Sequence, residues 1–189
     1  MSMGGIRLKE FDAWLEEMAT HALPGGVAAA ARSAAMGAAL VAKVTRLTLQ
    51  RQHLSAVEQQ RLVSLVDLAS KGVDGLQRLA GEDARAYRQV LETGALPVEG
   101  TERRLAWQRA TDVPLRVAEV CQELLLALDL LTDRCWPAVG TDLHTARRLL
   151  AVGRESGLEA AEANLQSWAE ADDARGFGSR MRAIRGERL

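Results

Sequence analysis

The 189-residue chain is poor in the residues that build sheets and staple small secreted folds: aromatics make up 4%, and there are four prolines and two cysteines. No run of alternating β-branched and aromatic residues appears, which argues against half-buried strands. Two cysteines and three scattered histidines give no zinc-ligand spacing. If Cys121 and Cys135 share one helix, their spacing at about 1.5 Å per residue puts them about 21 Å apart. That reach excludes a disulfide between them, and both thiols read as small buried hydrophobes. Surplus charge is also missing. Lys plus Arg number 24 against 25 for Asp plus Glu, a net charge of −1, so the basic footprint of a nucleic-acid binder is absent. The N-terminal MSMGGIRLKEFDAWLEEM has no basic region followed by an apolar core, so no secretory leader is expected. No apolar run reads as long enough to span a bilayer. The expectation is a soluble cytoplasmic protein with neither nucleic-acid nor membrane partners.

What the chain has is alanine, leucine and helical periodicity. Hydrophobic residues are 48% and charged ones 26%, which suits one packed domain of this length rather than a disordered chain. Leu8, Phe11, Leu15 and Met18 recur at spacings of three and four and predict a first helix. After Pro24-Gly25-Gly26, a second helix is predicted from Val27 to about Arg51. Ser55 with Glu58 three residues on forms a capping box that starts a third. A shorter helix is expected from Glu82 to Thr93, ended by Gly94. A long one follows from Thr101 to about Trp136, kinked or broken near Asp112 by Pro114. Another begins at Thr141 and ends near Gly153, and a last one spans Ser156 to Ala171. The predicted fold is all-α, a single-domain antiparallel bundle of six to seven helices over residues 1–173. The remaining residues, 174–189, form a basic C-terminal tail, with five arginines and one glutamate from Arg175 onward. The tail reads as a frayed, solvated end, with a weak anionic contact as the sharper alternative.

The stretch HALPGGVAAAARSAAMGAAL, His21 to Leu40, poses the functional question. Ala30, Ser33, Ala34, Gly37, Ala38 and Val41 form a stripe of mostly small residues that admits another backbone, in a bundle core or a dimer interface. Gly37 costs about 1 kcal/mol relative to Ala inside a helix, so something should compensate. Gly25 and Gly26 deliver the chain to a helix N-terminus, where free N–H groups favour anions. Composition alone leaves packing and ligand approach both open.

Four segments in order, LPGGVAAAARSAAMGAALVAKVTRLTLQR, LAGEDARAYRQVLETGALP, RRLAWQRATDVPLRVAEVC and GTDLHTARRLLAVGRESGLEAAEANL, carry a resemblance. The chain resembles the cyclodeaminase/cyclohydrolase family over roughly Leu8 to Trp168. Its members include formiminotetrahydrofolate cyclodeaminase and methenyltetrahydrofolate cyclohydrolase. The resemblance implies an all-helical homodimer with a folate site in a cleft near the subunit interface. It departs from the family pattern at Val27 and Ala28 in the turn, at Gln50-Arg51 in place of Gly-Lys, and at Thr141 before Asp142. His144 and Ala160-Ala161 also differ, while Asn164-Leu165 is kept.

The implied activity is hydrolysis of 5,10-methenyltetrahydrofolate to the 10-formyl compound, or cyclisation of the 5-formimino compound with loss of ammonia. Both require a group to orient or deprotonate the nucleophile and an acid for the leaving nitrogen. Neither requires a metal or another cofactor. At the family's motif positions the candidates are Asp83 and Asp142 as catalytic groups, with Pro24, Gly25, Gly26, Thr141 and, in place of a lysine, Arg51 for substrate; His144, where the family has another residue, is added as a substrate-side candidate. Both aspartates also read as helix-start acids. Arg51 keeps a cation for the glutamate tail but exchanges no proton readily. Histidine is a residue type suited to proton transfer near neutrality, although His144, two residues from Asp142, points to another face of the helix. Trp14, Trp107, Trp136 and Trp168 are expected in packing rather than stacked on a pterin. The alternative function is a catalytically inactive interaction protein that keeps the family scaffold.

Overall fold

The computed structural model describes residues 4–96, 100–168 and 171–186. Among the described residues six helices follow one another: α1 Gly4–Thr20, α2 Gly26–Arg51, α3 Ala56–Glu92, α4 Thr101–Ala127, α5 Gly140–Trp168 and α6 Ala171–Arg185. Two short 3₁₀ turns, Leu128–Leu131 and Pro137–Val139, join α4 to α5. Among the described residues there is no strand, and the fold is the expected all-α bundle.

Helix α2 is the centre. Alanine is the best helix former, and here it also leaves room for neighbours on two sides. Ala31, Ala34, Ala38 and Val41 are fully buried where α2 packs on α3 and α5, and α4 closes the square by packing on the same two helices. The α2 stripe is therefore core, and the close approaches fall on Gly37 within it and on two glycines of α5. A methyl added at Gly37 would sit 3.1 Å from the Ala146 carbonyl oxygen. One added at Gly153 would lie 2.7 Å from both the Ala34 Cβ and the Cys121 sulfur. At Gly157 it would come within 2.5 Å of the Pro114 carbonyl oxygen. The cost of Gly37 in a helix is offset by this packing. At 26 residues α2 is also long and apolar enough to cross a membrane, which corrects the expectation that no run is. Its apolar length is accounted for by burial against α3 and α5.

Helix α3 starts at the predicted capping box. Ser55 Oγ accepts from the Glu58 N–H at 3.3 Å, and the Ser55 N–H donates to Glu58 Oε2 at 3.0 Å. Arg134 Nε, 2.6 Å from the same carboxylate, and the Ser55 donors hold Glu58 down at about 2. The helix then continues through Gly81, merging two predicted segments. Likewise α5 runs through Gly153, because that glycine is an interior contact point rather than a terminator. Helix α4 ends at Ala127, short of Trp136, so Cys121 and Cys135 do not share a helix as expected. Both thiols are free; Cys121 is buried and pushed up to about 12 by burial, while Cys135 is only half-buried.

Pro114 does not break α4. It removes the N–H that the Ala110 carbonyl would have received, and Asn164 Nδ2 of α5 donates to that oxygen at 2.7 Å instead. One turn on, Trp168 Nε1 donates to Thr111 Oγ1 at 2.9 Å. The C-terminal tail is a docked helix rather than a frayed end. Met181 and Ile184 of α6 bury against Leu115, Ala118, Leu158 and Ala161. Arg180 bridges Asp112 Oδ1 at 2.7 Å and the two Glu119 oxygens at 2.8 and 3.1 Å. The outermost parts of the two predicted segments, residues 1–3 and 187–189, lie outside the described residues, as do residues 169–170 at the predicted end of the last domain helix.

Candidate functional site

The antiparallel register of the core fixes where each predicted site residue stands. A methyl at Gly72 of α3 would lie 3.6 Å from the Ala38 Cβ of α2. Eleven residues further along α3 and eleven back along α2, this register brings Asp83 level with Val27, at the end of the bundle that carries Pro24, Gly25 and Gly26. At the other end, Asp142 of α5 meets Lys43 of α2 at 2.7 Å. Lys43 is sixteen residues from Val27, about 24 Å along the helix. The eight predicted residues therefore divide into two groups that a single chain holds apart. Pro24, Gly25, Gly26 and Asp83 form one; Arg51, Thr141, Asp142 and His144 form the other.

In the first group, Asp83 carries the unusual chemistry. It lies on the inward face of α3 defined by Leu79, Ala80, Ala86 and Val90, all buried. It makes no hydrogen bond or ion pair among the described residues, and burial raises its carboxyl from 3.8 to about 6. A helix-start acid interacting with the dipole is ruled out, because α3 begins far upstream at Ala56. Pro24 is buried after a cis peptide bond, Gly25 caps α2 with extended backbone, and Gly26 is exposed. A methyl added at either glycine meets nothing within 4 Å. Among the described residues nothing of this chain fills the space in front of them.

The second group is polar and open. Asp142 sits in the first turn of α5, and its side chain is 32% exposed in the Lys43 pair. Thr141 and His144 are exposed. The Arg51 guanidinium lies 5.5 Å from the centre of the Trp136 ring, and the Trp136 N–H donates to Thr48 Oγ1 at 3.2 Å. The other tryptophans pack as expected: Trp14 against Phe11 and Arg32, Trp107 on the main core, and Trp168 edge-on to Phe177.

Sequence reasoning passed over Lys43, whose partner is 99 residues away and leaves no local signal. It also passed over a groove of about 320 Å³ between α3 and α4, lined by Glu82, Arg85, Gln89, Arg109, Asp112 and Arg116 among others. That groove did have a signal. Glu82, Arg85 and Gln89 on α3, and Arg109, Asp112 and Arg116 on α4, recur at intervals of three, four and seven.

Known proteins resemble this chain across both groups. The formiminotransferase-cyclodeaminase family matches residues 10–183. A methenyltetrahydrofolate cyclohydrolase of Methylorubrum extorquens is 30% identical over 93% of this chain and 86% of its own length. A formimidoyltransferase-cyclodeaminase of Sus scrofa is 36% identical over 70% of this chain, which spans only 26% of that longer protein. The crystal structure of formiminotetrahydrofolate cyclodeaminase from Thermotoga maritima has the same fold, with a TM-score of 0.85 at 22% identity over 95% of this chain and 88% of that one. With a match over nearly its whole length and a relative of similar size, the chain belongs to the formiminotransferase-cyclodeaminase family.

Proposed function

We propose that this protein is a folate one-carbon enzyme that hydrolyses 5,10-methenyltetrahydrofolate to 10-formyltetrahydrofolate. Cyclisation of 5-formiminotetrahydrofolate with release of ammonia is the related reaction the same scaffold supports. The reading rests on Asp83. A carboxyl near 6 is present in both protonation states around neutral pH, which suits a group that must take a proton and return one. Water adds to the carbon bridging N5 and N10, and its proton passes to the Asp83 carboxylate. The tetrahedral adduct then opens at the C–N5 bond: N5 receives that proton from Asp83, and the proton of the adduct's hydroxyl leaves to solvent as the formyl C=O forms. No electrons change hands, so the reaction calls on no redox cofactor. The open space in front of Gly25 and Gly26 leaves the α2 N-terminus accessible to the pterin beside Asp83.

Asp142 enters this reading through a second subunit. Phe11 and Leu15 of α1 and Met36 of α2 are large, apolar and exposed, and Phe11 and Met36 line one groove of about 520 Å³. A two-fold pairing that sets two copies antiparallel along α2 brings the Asp142 end of one protomer to the Asp83 end of its partner. The test is hydrolysis of 5,10-methenyltetrahydrofolate followed by absorbance against its spontaneous rate. Purified protein that does not exceed that rate overturns the enzyme reading. Mixing inactive Asp83→Asn and Asp142→Asn chains restores activity if the site is shared, and leaves it at zero if it is not.

A further inference from the structure

Resting on the assignment of Asp83 to the reacting end of the substrate, the positions of the cations carry one step more. Arg51 was the sequence-level candidate for the glutamate tail. It lies at the far end of α2 from Asp83, 24 residues beyond Val27 and about 36 Å along the helix. Within one chain it is too far to hold the tail of a ligand whose pterin sits at Asp83, and the Arg51→Gln variant below tests the same cation supplied across the proposed two-fold.

A different cationic surface lies within a turn of Asp83. The groove between α3 and α4 takes Glu82 and Ala86 from the same stretch of α3 and is walled by Arg85, Arg109 and Arg116. Its own carboxylates are already engaged. Glu82 is shared by Arg116 at 3.1 Å and Arg78 at 3.5 Å, and Asp112 is held by Arg180 at 2.7 Å. Among the described residues Arg109 is bonded only to the neutral amide of Gln89, at 3.3 Å, and Arg85 has no hydrogen-bond or ion-pair partner. Both guanidiniums therefore keep donors that no described residue uses, on facing helices. Their forked N–H pattern matches a carboxylate.

We propose that the α3/α4 groove is the subsite for the glutamate carboxylates of the folate substrate, with Arg85 and Arg109 as the binding groups and Arg116 set in place by Glu82. The pterin lies toward Gly25 and Gly26, and the tail crosses α3 beside Asp83 into the groove.

Two measurements test this, on the full chain. In the first, 5,10-methenyltetrahydrofolate hydrolysis is compared for wild type, Arg85→Gln, Arg109→Gln, Arg51→Gln and Arg148→Gln, the last an exposed charge control on α5. The groove variants are expected to raise KM about tenfold each with kcat within about twofold, the mark of lost uniform binding. Unchanged KM in both groove variants, or a rise carried by Arg51→Gln instead, overturns the assignment. In the second, calorimetric titrations with p-aminobenzoylglutamate, p-aminobenzoate and inorganic phosphate use the same proteins and need no turnover. Binding of the glutamate conjugate alone, weakened about tenfold in Arg109→Gln, supports the tail subsite even if wild type fails to catalyse. Equal binding of all three probes, or none of the conjugate, refutes it. Arg85 and Arg109 are exposed, so both variants are expected to fold, with melting temperatures as the check.

Discussion

Asn164 of α5 donates its side-chain amide to the Ala110 carbonyl of α4 at 2.7 Å, and Ala110 is the acceptor whose backbone partner Pro114 removed. A side chain from the neighbouring helix thus completes a ladder that its own helix cannot. The bond joins Ala110 and Asn164, 54 residues apart in the sequence.

That pairing is expected to be conditional. Asn164→Ala should cost about 1–3 kcal/mol, since it leaves a half-buried carbonyl without a donor. In a Pro114→Ala background the returned N–H satisfies Ala110, and the same change should cost under about 1 kcal/mol. Denaturant unfolding of the four proteins in the cycle measures the coupling. Strictly additive penalties would mean that the bond does not compensate for the proline.

Asp83 links function to stability with a definite sign. Its carboxyl titrates near 3.8 when unfolded and about 6 when folded, so the folded chain binds the extra proton between those values. Stability is therefore lost as pH rises from about 4 to about 6, by at most about 3 kcal/mol, and is level beyond. Asp83→Asn should flatten that slope and raise stability at pH 7, while lowering kcat by about 100-fold or more. An Asn variant less stable at pH 7 than wild type would place Asp83 in a structural role.

The glycines divide by what stands before them. Gly157→Ala drives a methyl to within 2.5 Å of the Pro114 carbonyl, between two packed backbones, and should destabilise by about 1–3 kcal/mol. Gly26→Ala meets open space within the chain and should leave the melting temperature unchanged or slightly raised. Its activity should fall at least tenfold, because the methyl occupies space assigned to substrate. Full activity in Gly26→Ala would remove the α2 N-terminus from the site.

Arg180 fastens α6 to α4 through Asp112 and Glu119, and both carboxylates hold its guanidinium firmly protonated. Arg180→Ala should cost about 1–2 kcal/mol, because charge-assisted bonds at a half-buried site are lost. Hydrogen exchange should then quicken across α6 before the four-helix core responds. Unaltered protection of α6 would show that Met181 and Ile184 suffice to hold it.

Helix type and order were legible because periodicity and composition are local. The alanine run of α2 and the Ser55–Glu58 box are written within a few residues. Helix ends at glycine were read wrongly for a related reason. Gly81 and Gly153 look alike in sequence, yet neither stops its helix, and Gly153 is there to admit Ala34 and Cys121. The basic tail gave the same difficulty, since Phe177, Met181 and Ile184 are too sparse to signal a docked helix without the surface they meet.

Fold class, the order of the helices and, through the motifs, the family could all be read along the chain, with Asp83 as a candidate, because helix propensity and motif order are properties of neighbouring residues. Only the tertiary structure decided which candidates share an end of the bundle. Antiparallel packing turns sequence distance into height along α2, setting Asp83 with Gly25 and Gly26, pairing Asp142 with Lys43, and leaving Arg51 a whole helix away.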